Sequence, residues 1–194
     1  MAIGYTTIGH ATWLEWRANT LGQAYDVDPQ FGAGCQCWDY ASQFWYNAGF
    51  PTNYPLTGPN SYAYECWTVN RFNNISYGGT QYFDLITNAS EVVAGDVVVF
   101  AGNTLNPPGH IAFADESYDG SGRLWCLGQN QGGTPLPGGG TAVTRNQLNM
   151  NEFLGAFRYK EWHTTPPTPT GEESHKFKWV LYARKLRNKR NNVL

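Results

Sequence analysis

Three segments of the 194-residue chain carry side chains able to do covalent chemistry. The first is GCQCWDYA (34–41), where Cys37 falls at the start of a helical pattern and Cys35 lies just outside it. A cysteine in the first helical turn meets the positive end of the helix dipole, which lowers its pKa and populates the thiolate. The second is PPGHIAFADE (107–116), in which His110 opens a strand directly after a Pro-Pro-Gly turn. A base fixed at a strand end is held firmly while its ring still faces a cleft. The third is LWCLGQNQGG (124–133), where Asn130 ends a strand. If 110–116 and 123–130 form a hairpin closed by DGSG (119–122), His110 and Asn130 share its open end. A nucleophilic thiol needs a base, and the base needs an orienting acceptor; Cys37, His110 and Asn130 meet that requirement. Each also has a plainer reading. Cys37 would serve as a small buried apolar residue, His110 as a structural histidine, and Asn130 as a loop residue capping the Gly132-Gly133 turn.

The elements that must position these groups are legible in outline. Apolar spacing predicts a helix over 11–23 and a second from Cys37, with Ala41, Phe44, Trp45 and Ala48 on one side and Gly49 and Pro51 ending it. A loop fills 25–34, another fills 50–62, and a further helical stretch covers 62–72. Beyond residue 80 the texture turns to short strands: FDLI (83–86), DVVVF (96–100), HIAFADE (110–116), RLWCLGQ (123–129) and FLGAFRY (153–159), with GGTPLPGGG (132–140) as loop. Helices first and strands after predict an α+β class with N-terminal helices packed on an antiparallel β-sheet.

Composition bounds what this fold serves. With 14% charged and 41% hydrophobic residues the chain is no disordered tail, and its longest apolar run, VVVFA (97–101), is far short of a membrane span. The N-terminus has no basic segment leading into an apolar one, so no signal peptide is expected. Four cysteines are too few for a disulfide scaffold and lack zinc-ligand spacing. Residues 1–171 hold six Lys/Arg against thirteen Asp/Glu, while residues 172–194 hold seven against two. The acidic body argues against a nucleic-acid partner. TTPPTPTG (164–171) reads as a semi-extended linker. The tail HKFKWVLYARKLRNKR (175–190) reads as a frayed terminus or as a basic amphipathic stretch for anionic lipid or wall polymer. Trp67, Trp125, Tyr54, Tyr62 and Tyr64 serve either core packing or stacking on sugar rings.

The order QCWD (36–39), AGDVVVF (94–100), GHIAF (109–113), LGQNQGG (127–133) resembles the CHAP family of cysteine, histidine-dependent amidohydrolases and peptidases, frequent in phage endolysins. The resemblance spans about residues 10–162, so the expected organisation is a CHAP-like catalytic domain (1–162), a linker (163–171) and a basic tail (172–194). It implies a papain-like (NlpC/P60-type) fold, Cys37 as nucleophile, His110 as general base, Asn130 as the residue orienting it, and Gln36 near the oxyanion. One departure stands out: many members carry Glu two residues before the asparagine, and this chain has Gly128. The resemblance further implies a calcium site beside the nucleophile, with Asp26, Asp28 and Asp39 as acidic ligands and Gln30 and Gly32 lending carbonyls; hard oxygen donors suit Ca²⁺. Without that likeness, Asp26 and Asp28 read as turn residues and Asp39 as a first-turn helix acid. The implied activity is hydrolysis of a peptidoglycan amide bond, by an N-acetylmuramoyl-L-alanine amidase or a cross-bridge endopeptidase, with the amidase preferred. The implied setting is a phage lysin made in the host cytoplasm and released by a holin, or carried in a virion. A wall-binding module without catalysis is the alternative, and a papain-like transferase or intracellular peptidase a third.

Overall fold

A computed structural model describes residues 1–28, 34 and 36–163. The expected linker from 164 onward and the basic tail lie outside the described residues. The chain opens with β1 (Ala2–Ile3), which pairs in parallel with β2 (Tyr25–Asp26). Between them lies α1 (Trp13–Thr20). Its first turn is closed by Thr12, whose Oγ1 accepts from the Glu15 amide at 3.1 Å, while the Glu15 carboxylate accepts from the Ala11 amide at 2.9 Å. Such caps satisfy amides that a helix start leaves without intrahelical partners.

The second expected helix forms as α2 (Cys37–Asn47), and its three- and four-residue spacing does what the pattern predicts: Tyr40, Ala41, Phe44 and Trp45 are buried. The helix expected over 62–72 is instead two single turns, α3 (Glu65–Thr68) and α4 (Arg71–Asn74). The break falls at Asn70, whose side chain donates to the Thr57 carbonyl. Asparagine competes with the backbone for hydrogen bonds in this way and favours helix ends. A small hairpin, β3 (Ser76–Tyr77) with β4 (Thr80–Gln81), follows.

The sheet comprises β5 (Phe83–Ile86), β6 (Val97–Phe100), β7 (His110–Ala114), β8 (Arg123–Gly128), β9 (Thr144–Asn149) and β10 (Phe153–Tyr159). Its order is β5-β10-β6-β7-β8-β9, with every neighbour antiparallel. The class is α+β, as expected. β9 was not foreseen: TRNQLN is polar and mostly exposed, as befits an edge strand, so no alternation of apolar residues announces it.

Both faces of the central strands are covered, which is why VVVF reads as a continuous apolar run rather than an alternating one. On one face Val97, Val99, Ile111, Phe113 and Phe157 meet the helices. On the other, Val98, Phe100, Ala112, Leu124 and Cys126 pack with Val92 and Met150. Phe44 and Tyr40 of α2 set their rings 5.2 and 4.9 Å from Phe113 of β7, and Trp16 of α1 packs on both. Truncating a fully buried aromatic such as Phe44 to Ala would cost about 3–5 kcal/mol. This aromatic wedge fixes α2 against β7, and so fixes the residue that opens each. After β10 comes one turn, α5 (Lys160–His163), whose Trp162 closes the wedge on Phe44 and Trp13. No helix among the described residues is long and apolar enough to cross a membrane.

Candidate active site

Cys37 is the first residue of α2 and His110 the first of β7. Both side chains are buried, and the thiol and the ring hydrogen-bond each other. Burial by itself pushes the Cys37 thiol up, but the His110 charge and hydrogen bond outweigh it, and the net direction is down. Burial likewise pushes His110 down, while Cys37 and an acceptor on the far side of the ring lift it above its ordinary value. Opposite shifts of this kind favour a thiolate–imidazolium pair. The other described cysteines behave differently: burial drives the thiols of Cys66 and Cys126 up, leaving them inert packing residues.

The acceptor on the far side of His110 is not Asn130. His110 Nε2 faces Gln131 Oε1 at 3.1 Å, while Asn130 Nδ2 donates to Gln36 Oε1 at 2.7 Å. The hairpin of β7 and β8 does form, pairing Phe113 with Leu127 and Ala114 with Cys126. Continued without a break, that register would set Asn130 opposite His110. It is broken because Asn130 takes a left-handed backbone, φ 54°, with its amide donating to Thr141 Oγ1 at 2.9 Å. The chain turns there, and the next side chain returns toward the ring. Gln131 is the residue the sequence reading passed over; it stood only as an unremarked neighbour in the Gln-Asn-Gln run.

The three consecutive amides of that run reach three different elements. Gln129, fully buried, accepts from the Tyr25 amide at 3.0 Å and donates to the Tyr25 carbonyl at 2.9 Å, clasping β2. Asn130 takes Gln36, the residue before the helix, and Gln131 takes His110. The turn after β8 thus joins the start of α2, the His110 ring and the Asp26 segment.

That segment holds three carboxylates. Asp26, Asp28 and Asp39 offer oxygens that all lie within 4.8 Å of one another. Asp39 Oδ1 accepts from the Val27 amide at 3.0 Å and Oδ2 from the Gln36 amide at 2.7 Å. Burial, then the neighbouring charges of Asp28 and Asp26, push Asp39 up to about 7. Asp26 Oδ1 is buried and has no hydrogen-bond partner. Among the described residues no basic side chain pairs with this cluster, and a bare buried oxygen within it fits a hard cation. Gln30 and Gly32, expected to lend carbonyls, lie outside the described residues.

A cavity of about 160 Å³ opens beside the His110 ring, lined by Phe100, Asn106, His110, Asn130, Gln131 and Glu152 among others. A larger hollow of about 430 Å³ lies between Tyr64, Thr68, Gly102, Pro107 and Leu154 and does not include the pair. The aromatics considered for sugar stacking divide: Trp67 is buried on Phe157, Trp125 lies under the Arg145 guanidinium at 3.9 Å, and Tyr62 and Tyr64 pack on each other, half-buried. Asp115 and Glu116, the acids on the His110 strand, are engaged by Arg17 and Arg145.

No family model matches the chain. It is 40% identical over 126 residues to the D-alanyl-L-alanine endopeptidase of Streptococcus phage B30, a match covering 63% of this chain and 25% of the relative, so the chain spans about a quarter of that protein's length. Among solved structures it is similar in fold to the endolysin LysIME-EF1, with TM-score 0.54 and 18% identity over 79% of this chain and 65% of that one. A structure of Ly7917 overlaps with TM-score 0.47 at 23% identity, covering 79% of this chain and 63% of that one.

Proposed function

We propose that this chain hydrolyses an amide bond of bacterial peptidoglycan through the Cys37 thiolate, as the CHAP-type catalytic part of a phage lysin. The observation that carries the reading is the Cys37–His110 pair, with the thiol shifted down and the imidazole up. The likeness to a phage endopeptidase supports the choice of substrate.

In this mechanism the thiolate attacks the amide carbonyl and the C=O electrons move onto oxygen. The Cys37 backbone N–H and Gln36, both at the positive start of α2, would stabilise that oxyanion. The tetrahedral intermediate collapses, His110 gives its proton to the departing amine nitrogen, and an acyl-thioester remains on Cys37. Water, deprotonated by His110, then attacks the thioester and releases the carboxylic acid, which gives its proton to solvent, restoring thiolate and imidazolium.

The sequence reading preferred the amidase; the name of the 40% identical relative favours a D-alanyl-L-alanine endopeptidase bond instead. The two leave different ends. Endopeptidase cleavage frees an L-alanyl amine and a D-alanyl carboxylate, whereas amidase cleavage separates the stem peptide from the lactyl group. Mass spectrometry of fragments released from Gram-positive walls distinguishes them, and Cys37→Ala must abolish release while leaving wall binding intact. If wild type binds walls and releases nothing, the chain is a wall-binding module.

Calcium belongs to the same reading. Asp26, Asp28 and Asp39 would hold it, and it would supply charge neutralisation that draws the β2 segment onto the start of α2. The remaining expectations follow from the lysin reading: action on the wall after holin release or from a virion, with residues 172–194 attaching to anionic wall polymer or membrane.

A further inference from the structure

We infer that Gln131 is the residue that positions His110, and that Asn130 instead positions Gln36. The inference rests on the thiol-hydrolase reading above and says how its two halves, base and oxyanion stabiliser, are held.

The geometry of Gln131 leaves its amide one orientation. Nε2 donates to the Cys126 carbonyl at 2.9 Å and to the Thr144 carbonyl at 2.7 Å. Both amide protons are spent on carbonyls of β8 and β9, so Oε1 is what faces the ring. An acceptor there requires His110 Nε2 to carry its proton, which leaves Nδ1 to face the thiol. The neutral tautomer whose free nitrogen can take the thiol proton is thereby selected, and the ring plane is fixed by an amide anchored on two strands.

Room for this amide comes from Gly128. A Cβ at that position would stand 2.6 Å from Gln131 Oε1 and 3.1 Å from its Cδ. Gly128 ends β8 without a positive φ, so its backbone suits any residue. What it lacks is a side chain in the space that the Gln131 carboxamide fills. This accounts for the departure noted in the sequence: the position that holds Glu in many CHAP members is empty here, and the acceptor arrives from three residues later.

Asn130 does separate work. Its Nδ2 donates to Gln36 Oε1 at 2.7 Å, which fixes the side chain of Gln36 by its oxygen at the start of α2. Asn130 acts on Gln36 and Gln131 acts on His110, so their loss must give different signatures.

The test measures the rate of Cys37 alkylation by iodoacetamide against pH, alongside kcat and KM for release of amines from purified walls. Alkylation is followed in saturating calcium and again in chelator, so that the charge around Asp39 is the same for every variant. Wild type, Gln131→Met, Gly128→Ala and Asn130→Ala are compared. Losing the acceptor should raise the apparent thiol pKa by about one unit in Gln131→Met, the usual scale of one hydrogen bond to a charged group. Gly128→Ala, which displaces the amide without removing it, should shift the profile in the same direction. Asn130→Ala should leave the alkylation profile in place and lower kcat about tenfold with KM little changed. Alkylation profiles are read on the folded fraction, so a general loss of stability does not imitate these shifts. A shift in Asn130→Ala with none in Gln131→Met would overturn the inference, as would unmoved profiles in all three. If wild-type Cys37 itself shows no lowered thiol pKa and Cys37→Ala keeps its activity, the nucleophile reading fails and takes this inference with it.

Discussion

Cys37 and His110 each open the element that carries them, and their side chains meet where α2 lies against β7. The pairing has a signed consequence for pH. The acid limb of kcat/KM reports Cys37 losing its proton and should fall below the ordinary thiol value; the alkaline limb reports His110 losing its proton and should lie above the ordinary imidazole value. Removing the ring reverses the thiol shift. In His110→Ala only burial acts strongly on Cys37, so its pKa should rise above that of a free cysteine. The thiolate absorbance of the folded variant, titrated with pH, measures this; a thiol that stays low without His110 would show that the helix start alone activates it. Turnover in Cys37→Ser should drop by at least about 10³-fold.

Much of this site could be read from residue order, and the part that could not was set by backbone geometry. The start of α2 at Cys37 and the strand at His110 both follow from local pattern, an amphipathic helix and an apolar run after Pro-Pro-Gly. The hairpin register was also legible, since DGSG closes it where expected. The exchange of Asn130 for Gln131 was not, because it depends on one left-handed residue beyond the last paired strand position. Asparagine tolerates that conformation better than most residues, but nothing in the alternation of β8 marks where the strand lets go. The breakup of 62–72 into two turns and the polar edge strand β9 escaped for a related reason: side-chain hydrogen bonds and sheet pairing overrode local propensity.

Gly109 sets the backbone that leads into His110. Its φ is 68°, and a Cβ there would stand 2.5 Å from the Phe100 carbonyl oxygen and 3.0 Å from Tyr64 Cβ. Gly109→Ala must both adopt a left-handed backbone and push β6 away from the start of β7. The expected cost is about 2–3 kcal/mol in urea unfolding. Because the strain adjoins His110, kcat per folded molecule should fall as well. A variant that loses stability but keeps full kcat would mean the turn sets the fold and not the base.

Arg158 and Asp96 form the ion pair that ties β10 to the start of β6. Asp96 is fully buried; Arg158 Nε and Nη2 donate to its two oxygens at 2.9 and 2.8 Å, and the Val93 amide donates at 2.9 Å. Removing one partner of a buried pair strands the other, at a cost of about 3–5 kcal/mol. Arg158→Met should therefore destabilise strongly by denaturant titration. Arg158→Met with Asp96→Asn should recover much of that loss, since the stranded charge is gone. Neither residue belongs to the Cys37–His110 site, so kcat of the folded double variant should match wild type.

The carboxylate cluster gives the calcium proposal a signature independent of catalysis. At pH 8 Asp39, pushed up to about 7, is ionised and offers its charge to a cation held with Asp26 and Asp28. At pH 5.5 a proton occupies Asp39 and competes with it. Calcium at a hundredfold excess over its Kd stabilises a folded state by about 2.7 kcal/mol, or roughly 5–10 °C in Tm for a domain of this size. The rise should appear at pH 8, shrink at pH 5.5, and vanish with chelator. Asp26→Asn separates the two terms. It removes a buried carboxylate oxygen that has no partner and eases repulsion in the metal-free protein, so its Tm in chelator should exceed that of wild type, while calcium should no longer raise it. A wild-type Tm that ignores calcium at pH 8 would sink the metal site and leave the thiol chemistry standing.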